Sequence, residues 1–216
     1  AASISSDAAY TIDYSCRFDR SASARLTRTN SGTPTDASKG ILGVWFKKCG
    51  EAVTQSLWDT DAGAWTVDFS SGDLLQTTAD GGFSYKTTQV FRDPNAWYHV
   101  VFSYDSDQEA EGDRWLTYLN GKLITDFSAY DPGRVTSGEA WEITVDATAV
   151  TIGSSYNGLR YWDGYMSQCF LVDGTSIQNG DYSIASFGEF NNNVWRPIDL
   201  TGLTFGTNGY LLDFAD

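Results

Sequence analysis

Two tyrosines, an asparagine and an arginine in one short polar segment are the residues of this chain best suited to bind a ligand. The segment Ser154–Tyr161 reads SSYNGLRY, and its candidate contacts are Tyr156, Asn157, Arg160 and Tyr161. A saccharide is held by flat aromatic faces that stack on its C–H groups and by a few planar polar groups that bond its hydroxyls. The segment offers both kinds of group, so it is a candidate glycan site.

A second aromatic pair could serve the same purpose. Trp58 and Trp65 flank the turn sequence DTDAGA, which would present both rings at one end of a strand pair. The alternative is that most of the eight tryptophans and twelve tyrosines fill a core between two sheets. We expect Trp45, Trp97 and Trp115 to do so.

Carboxylates in two places could supply the hard oxygen ligands that calcium prefers. The acidic segment DSDQEAEGD contains Asp105, Asp107 and Asp113, and a second partial set is Asp59 with Asp61. The spacing of the acidic segment does not fit an EF-hand loop. Calcium is the one cofactor that these residues suggest, and a solvated hairpin loop is the alternative.

The elements that must position these residues are strands. Apolar residues recur mostly at period two or in short runs between Gly, Asn, Asp and Ser clusters, a pattern typical of a β-sandwich. Asn120-Gly121 between two such runs predicts a hairpin with a type I′ turn. A short helix could lie within Ile177–Phe187. The predicted strands are Ala9–Phe18, Ala24–Arg28, Gly40–Lys47, Ala52–Trp58, Ala64–Phe69, Asp73–Thr77, Phe83–Val90, Trp97–Tyr104, Trp115–Leu119, Lys122–Phe127, Trp141–Val145, Ala149–Ile152, Trp162–Val172 and Tyr210–Phe214.

Length and charge limit the classes of partner. The chain has 216 residues, which suits one all-β domain, and a formal net charge of −14. Such a charge repels phosphate backbones and anionic lipid, so nucleic acid and membrane surfaces are poor candidate partners. The sequence has no run of about 18 apolar residues, so we expect no membrane insertion. Cys16, Cys49 and Cys169 are odd in number and widely spaced, which predicts reduced thiols, with a Cys16–Cys169 bridge as the alternative.

Several blocks of the chain, in order, resemble the concanavalin A-like lectin/glucanase superfamily in its laminin-G-like or pentraxin-like form. The central block is the hairpin sequence WYHVVFSYDSDQEAEGDRWLTYLNGKLITD at 97–126. YTIDYSCRF at 10–18, GILGVWFK at 40–47, and VTIG at 150–153 with WDGYMSQCFLV at 162–172 match in order and spacing. The resemblance implies an antiparallel two-sheet sandwich of jelly-roll type.

The carboxy-terminal strings narrow this resemblance. FGEF at 187–190, NVWRP at 193–197 and FGTNGYLLDFAD at 205–216 are similar to strings in structural proteins of tailed bacteriophages, particularly marine ones. The resemblance implies one laminin-G-like domain over 1–216, in which 186–216 wraps along the outside of the sandwich. It also implies a virion protein, made in the host cytoplasm and exposed on a tail, fibre or capsid surface.

The resemblance leaves three functions open. The first is adhesion to a host-surface polysaccharide, and the second is a decoration or assembly module that contacts only other virion proteins; either would sit in a homo-oligomer or larger assembly. The third is glycan cleavage, but superfamily enzymes of that kind carry a Glu-x-Asp-x-x-Glu strand for retaining chemistry, and this chain has none. The single histidine, His99, shares a strand face with Trp97 and Val101 and is expected to be packed. We therefore predict no catalytic residues.

Overall fold

The computed structural model describes residues 10–61, 65–79 and 82–215. These residues form strands joined by turns and short 3-10 helices, and no helix in this part of the chain is long and apolar enough to cross a membrane. The strands are β1 (Cys16–Phe18), β2 (Leu26–Thr29), β3 (Lys39–Lys48), β4 (Gln55–Thr60), β5 (Trp65–Phe69), β6 (Leu74–Ala79), β7 (Gly82–Val90), β8 (Tyr98–Asp105), β9 (Trp115–Leu119), β10 (Lys122–Leu123), β11 (Phe127–Tyr130), β12 (Ala149–Ile152), β13 (Gly164–Asp173), β14 (Glu189–Asn191), β15 (Val194–Arg196) and β16 (Tyr210–Leu212).

Two large antiparallel sheets contain most of these strands. The front sheet has the order β1-β13-β3-β8-β9-β10, and β16 also pairs with β13. The back sheet has the order β11-β7-β6-β5-β4-β12-β2. The strands β14 and β15 form a separate hairpin. The predicted fold class, an all-β sandwich of two antiparallel sheets, is confirmed.

The main core lies between the two sheets and follows the period-two pattern of the strands. Along β3, Leu42, Val44 and Phe46 point inward, while the residues between them belong to the opposite face. On the back sheet, Val67 and Phe69 of β5 face them. Burial of these large side chains is the main favourable term for a sandwich of this size.

A second, smaller apolar cluster covers the outer face of the front sheet. Ile41, Val101 and Phe170 pack there against Phe187 of the carboxy-terminal region. The rings of Phe170 and Phe187 stack with centroids 5.1 Å apart. Gly43 is required under this cluster because a Cβ there would lie 2.3 Å from the Phe170 ring.

Most predicted strands are confirmed, with three exceptions. Within the described part of Ala9–Phe18 only Cys16–Phe18 form a strand, and Lys122–Phe127 is interrupted after Leu123. The segment Trp141–Val145 is not a strand: Glu142–Thr144 form a 3-10 helix, and Trp141 stacks on Tyr104 inside the core. The expected helix within Ile177–Phe187 is reduced to the 3-10 turn Ile184–Ser186. Sequence analysis also did not single out β11, β14 or β15.

The Asn120-Gly121 turn and the cysteines behave as predicted. Asn120 has a φ of 47° and Gly121 a φ of 74°, which are the positive values that a type I′ turn needs. Cys16, Cys49 and Cys169 are free thiols, so the alternative bridge does not form.

Candidate functional site

A polar groove of about 500 Å³ crosses the outer face of the back sheet. Its floor is made by outward-facing side chains of β4 to β7, and one wall is the loop that follows β12. We call it the back-sheet groove. Its lining includes Asp59, Asp68, Gln76, Tyr156 and Arg160.

The register of the strands arranges the floor as two rows. In one row, Asp68 of β5 lies opposite Gln76 of β6, which in turn lies opposite Lys86 of β7. In the other, Asp59 of β4 lies opposite Thr66 of β5. Side chains on one face of paired strands are neighbours, so residues from four strands converge on one surface.

A β-bulge in β4 aims Asp59 into the groove. The register between β4 and β5 shifts between Ser56 and Trp58, so Leu57 is an extra residue in the ladder. As a result Leu57 and Trp58 both belong to the core, and Asp59 faces outward. Such bulges commonly re-aim a side chain at a site.

Three acceptor oxygens on the groove floor receive no hydrogen bond from the residues that the structure describes. They are Oδ1 of Asp59, Oδ1 of Asp68 and Oε1 of Gln76, on side chains that are 2%, 0% and 6% exposed. Buried polar atoms in folded proteins are almost always bonded. The floor therefore offers acceptor capacity to any ligand that brings hydroxyl or N–H donors.

The remaining carboxylate oxygens fasten the loop over the floor. Nη1 of Arg160 donates to Oδ2 of Asp68 at 2.8 Å, and the backbone N–H of Tyr156 donates to Oδ2 of Asp59 at 3.2 Å. Within the loop, Oγ of Ser155 donates to Oδ1 of Asn157 and accepts from the backbone N–H of Arg160. These bonds fix the wall before any ligand arrives, which reduces the entropy lost on binding.

Burial controls the ionisation of both carboxyl groups. It raises the pKa of Asp59 to about 7, and attraction to Arg160 opposes the rise only in part. Burial also raises the pKa of Asp68, again against the attraction of Arg160. Asp59 therefore changes its charge near neutral pH.

Replacing Asp59 with asparagine should remove a pH-dependent penalty on folding. Because the folded-state pKa lies above the unfolded value, the folded protein holds more protons between about pH 4 and pH 7, and its stability falls as pH rises through that window. We compare the free energy of unfolding of Asp59→Asn with that of wild type at each pH. We expect this difference to shift in favour of the variant by about 2 kcal/mol between about pH 5 and about pH 7. Urea titrations at both pH values measure this change. The exposed neighbour Asp61, as Asp61→Asn, is the charge-matched control and should show no comparable change; equal pH profiles for the two variants would contradict the assignment.

The groove brings together part of the predicted glycan site. Tyr156, whose side chain is 45% exposed, lines it together with Asn157 and Arg160. Tyr161 lies beside the groove, where its hydroxyl is 2.9 Å from the position that a Cβ on Gly158 would take.

Trp58 and Trp65 require a correction. They are 1% and 6% exposed and lie in the core between the sheets. The Trp65 ring packs against those of Trp115 and Trp141. Neither ring presents a face to a ligand, because the bulge and the strand alternation turn both inward.

The carboxylates predicted to hold calcium are not gathered into a site. Oδ2 of Asp105 accepts from Oγ of Ser176 at 2.7 Å, and Asp107 forms an ion pair with Lys39 at 2.5 Å. Asp113 lies in a separate 3-10 turn and is exposed, as is Asp61, while Asp59 belongs to the back-sheet groove. Among residues 10–61, 65–79 and 82–215, no three His, Cys, Asp or Glu residues come together. In the acidic loop two carboxylates are already bonded to protein donors, and calcium binding there stays a prediction.

Sequence reasoning missed Asp68, Gln76 and Lys86. A signal for Asp68 was present, since a single carboxylate in the apolar strand WTVDF must lie on the face opposite Val67. Gln76 and Lys86 could be connected to it only once the register of β5, β6 and β7 was known.

A second concave surface, of about 750 Å³, lies between the β14–β15 hairpin and the β9–β10 hairpin. We call it the hairpin cleft. Trp97, Leu123, Phe190 and Val194 line it and are 39% to 55% exposed. Trp97 was expected in the core, and this was wrong. The same expectation was wrong for Trp45. It is buried, but it lies on the outer face of the front sheet, where it stacks on His99 and borders this cleft.

Comparison with known proteins identifies the family. The sequence model Laminin_G_3, described as concanavalin A-like lectin/glucanases superfamily, matches residues 23–175. This range includes β2 to β13 and all the residues that line the back-sheet groove, and it ends before the carboxy-terminal strings. A search of curated protein sequences finds no match.

Solved structures with a similar fold are distant in sequence. A heptameric SAP-like pentraxin from Limulus polyphemus is 14% identical with a TM-score of 0.49, over 69% of this chain and 70% of that one. A putative carbohydrate-binding protein from Bacteroides ovatus is 18% identical with a TM-score of 0.49, over 74% of this chain and 43% of that one. The binding domain of botulinum neurotoxin DC, in complex with rat synaptotagmin II, is 12% identical with a TM-score of 0.46, over 70% of this chain and 37% of that one.

The family model spans well over half of the sequence, and the two antiparallel sheets agree with its fold. The chain belongs to the concanavalin A-like lectin/glucanase superfamily, as a laminin-G-like domain.

Proposed function

We propose that this domain binds a glycan in the back-sheet groove and does not cleave it. The observation that carries the proposal is the set of three buried acceptor oxygens, on Asp59, Asp68 and Gln76, in a groove that the half-exposed Tyr156 also lines. Sugar hydroxyls are the donors that such oxygens need, and the aromatic face accepts the C–H side of a pyranose ring.

The remaining features of the groove support the same ligand class. Asn157 and Arg160 add planar polar groups at the wall, and the volume of about 500 Å³ lies within the range of known small-ligand sites. The groove is open and polar, and its loop is already ordered by hydrogen bonds. A binding module needs no more than this.

Binding without cleavage follows from the state of the two carboxyl groups. Hydrolysis needs one carboxyl as acid and a second as nucleophile or base, both in contact with the scissile bond. Oδ2 of Asp68 is bonded to Arg160, which fixes this carboxyl to the loop and leaves only Oδ1 to accept from a ligand. We therefore infer a lectin-like role for the groove.

Substitution of Tyr156 tests the proposal. Wild-type protein is titrated calorimetrically with a panel of neutral bacterial-type polysaccharides, with added calcium and with chelator, and the recovered polymer is sized for cleavage. We expect saturable binding, no cleavage, and at least a tenfold weaker Kd for Tyr156→Ala, because stacking of the sugar C–H face on the tyrosine ring is lost. Leu159→Ala is the control from the same loop, since Leu159 is 71% exposed and does not line the groove. Equal losses in the two variants, or shortened polymer, would contradict the proposal.

We further propose that the domain works on the surface of a tailed-bacteriophage virion, where it adheres to host-surface glycans. The support is the similarity of the strings at 187–190, 193–197 and 205–216 to structural proteins of such particles. Peptide mass spectrometry of purified particles and antibody labelling of intact ones test this location. Failure to find the chain in particles would contradict it without affecting the glycan proposal.

A decoration or assembly module is the second candidate, favoured by the hairpin cleft. Its exposed apolar side chains, Trp97, Leu123, Phe190 and Val194, resemble the core of a protein contact more than a solvated surface. In that case antibodies against the cleft would label the isolated domain but not intact particles, and Tyr156→Ala particles would adsorb to host cells normally.

A further inference from the structure

We infer that the back-sheet groove selects neutral, hydroxyl-rich sugar residues and rejects residues that carry a sulfate, phosphate or carboxylate at the contact. This inference rests on the proposed glycan binding and deepens it, because it names the chemical class of glycan from the polarity of the groove floor.

Among the described residues, the buried side-chain groups on the floor that lack a partner are all acceptors. Oδ1 of Asp59, Oδ1 of Asp68 and Oε1 of Gln76 lie on side chains more than nine-tenths buried, and each lines the groove. A sugar hydroxyl can donate to any of them. An anionic substituent has no donor, so its oxygens would meet carboxylate oxygens with neither a bridging proton nor bulk water between them.

The cations of the groove are balanced by the same carboxylates. Arg160 is bonded to Asp68 at 2.8 Å, and Lys86 interacts favourably with the charge of Asp68 from the next strand but one. Arg160 attracts the Asp59 carboxylate, and the Asp68 carboxylate repels it. Among the described lining residues the charged groups are two carboxyls and two cations, and this balance leaves little net attraction for an anionic ligand.

Asp59→Asn should relax this selection. The asparagine side chain keeps the shape and can still accept from the N–H of Tyr156, but it replaces the unpartnered carboxylate oxygen with an amide N–H₂. The changed floor would then present a donor to an anionic substituent. The matched control is Asp61→Asn, which makes the same change in charge on an exposed residue outside the groove.

The experiment compares dextran, mannan and galactan, each beside a sulfated form of the same polymer, against the full chain. It is run at about pH 8, above the pKa of about 7 of Asp59, so that its carboxyl is ionised. We expect wild type and Asp61→Asn to bind at least one neutral polymer and to bind its sulfated form at least tenfold more weakly. Asp59→Asn should bind the neutral form at least tenfold more weakly and lose the difference between the two forms.

The outcomes separate the two proposals. If wild type binds sulfated polymer as well as neutral polymer, and Tyr156→Ala still loses binding, the proposed selectivity is overturned and glycan binding remains intact. Binding of no polymer of either kind overturns glycan binding itself. Selectivity that survives in Asp59→Asn places its origin elsewhere and also overturns the inference.

Discussion

Asp73→Asn should lower the free energy of unfolding by about 3 kcal/mol, the largest single-charge effect that we expect in this protein. Asp73 lies in the turn between β5 and β6 with its side chain fully buried. Nζ of Lys48, which is also buried, donates to Oδ1 at 2.7 Å, and Nε of Arg92 donates to Oδ2 at 2.8 Å. The asparagine variant would leave Lys48 as a buried cation without its counterion. An uncompensated buried charge is the main cost of removing one partner from a buried ion pair.

The position of this pair explains why its loss should affect the whole sandwich. Lys48 ends β3 in the front sheet, whereas Asp73 belongs to the back sheet, so the pair joins the two layers at one end. Oδ1 of Asp73 also accepts from the backbone N–H of Ala52 at 3.0 Å. Asparagine tolerates the φ of 61° at this position, so backbone strain does not confuse the measurement.

Urea unfolding followed by tryptophan fluorescence measures the effect. The control is Asp131→Asn, which breaks an exposed ion pair with Arg134 and should cost less than about 1 kcal/mol. Burial raises the pKa of Asp73, but its bonds to Arg92 and Lys48 outweigh burial and hold that pKa below the usual value. The contribution of Asp73 is therefore present above about pH 4 and is lost as pH falls through the folded-state pKa. A variant within 1 kcal/mol of wild type would show that the pair is dispensable.

The fold could be predicted because its signals are local. Period-two alternation and turn residues identified most strands, and Asn120-Gly121 determined one hairpin by the positive φ that both residues accept. The 3-10 helix after Trp141 was misassigned because an aromatic and β-branched run has strand propensity, whereas packing of Trp141 over Gly40 and Tyr104 decides the conformation.

The site was predictable only in part because its residues meet through non-local register. Arg160 and Asp68 are 92 residues apart, and nothing near either residue indicates that they form an ion pair. Asp59 was singled out as a carboxylate of interest, but for calcium, since its partners on β5 were not visible in the sequence. Trp58 was misassigned because the bulge at Leu57 breaks the alternation from which strand faces are read.

Trp195→Ala should destabilise the protein by about 3 to 5 kcal/mol and change the ionisation of the single histidine. Trp195 lies on β15, is 8% exposed, and its Nε1 donates to Nδ1 of His99 at 2.9 Å. Its ring packs so closely on Gly121 and Gly188 that a Cβ at either position would lie 2.2 or 2.3 Å from it. Removing the indole would open a cavity and leave Nδ1 of His99 without a donor.

The ionisation of His99 reports the loss of the Trp195 indole directly. Complete burial lowers the pKa of His99 to about 3, so wild-type protein should show no histidine titration between about pH 4.5 and pH 8. In Trp195→Ala, water reaches the imidazole through the opened hairpin cleft, and the pKa should rise toward about 6.5. Because the chain has one histidine, its ring C–H signals in a proton NMR titration are assigned without ambiguity.

Trp195→Phe separates packing from hydrogen bonding at this position. Phenylalanine keeps most of the ring contact with Gly121 and Gly188 but cannot donate to His99, so we expect a loss of about 1 to 2 kcal/mol and a histidine that still does not titrate above about pH 4.5.

The depressed pKa of His99 also makes wild-type stability fall as pH falls from about 6.5 toward 3, since only the unfolded chain then binds the proton. This trend opposes that of Asp59, so Asp59→Asn should be more sensitive to acid than wild type. An ordinary histidine titration in the folded wild-type protein would show that the β14–β15 hairpin does not close over His99, and the structural basis of the hairpin cleft would then be lost.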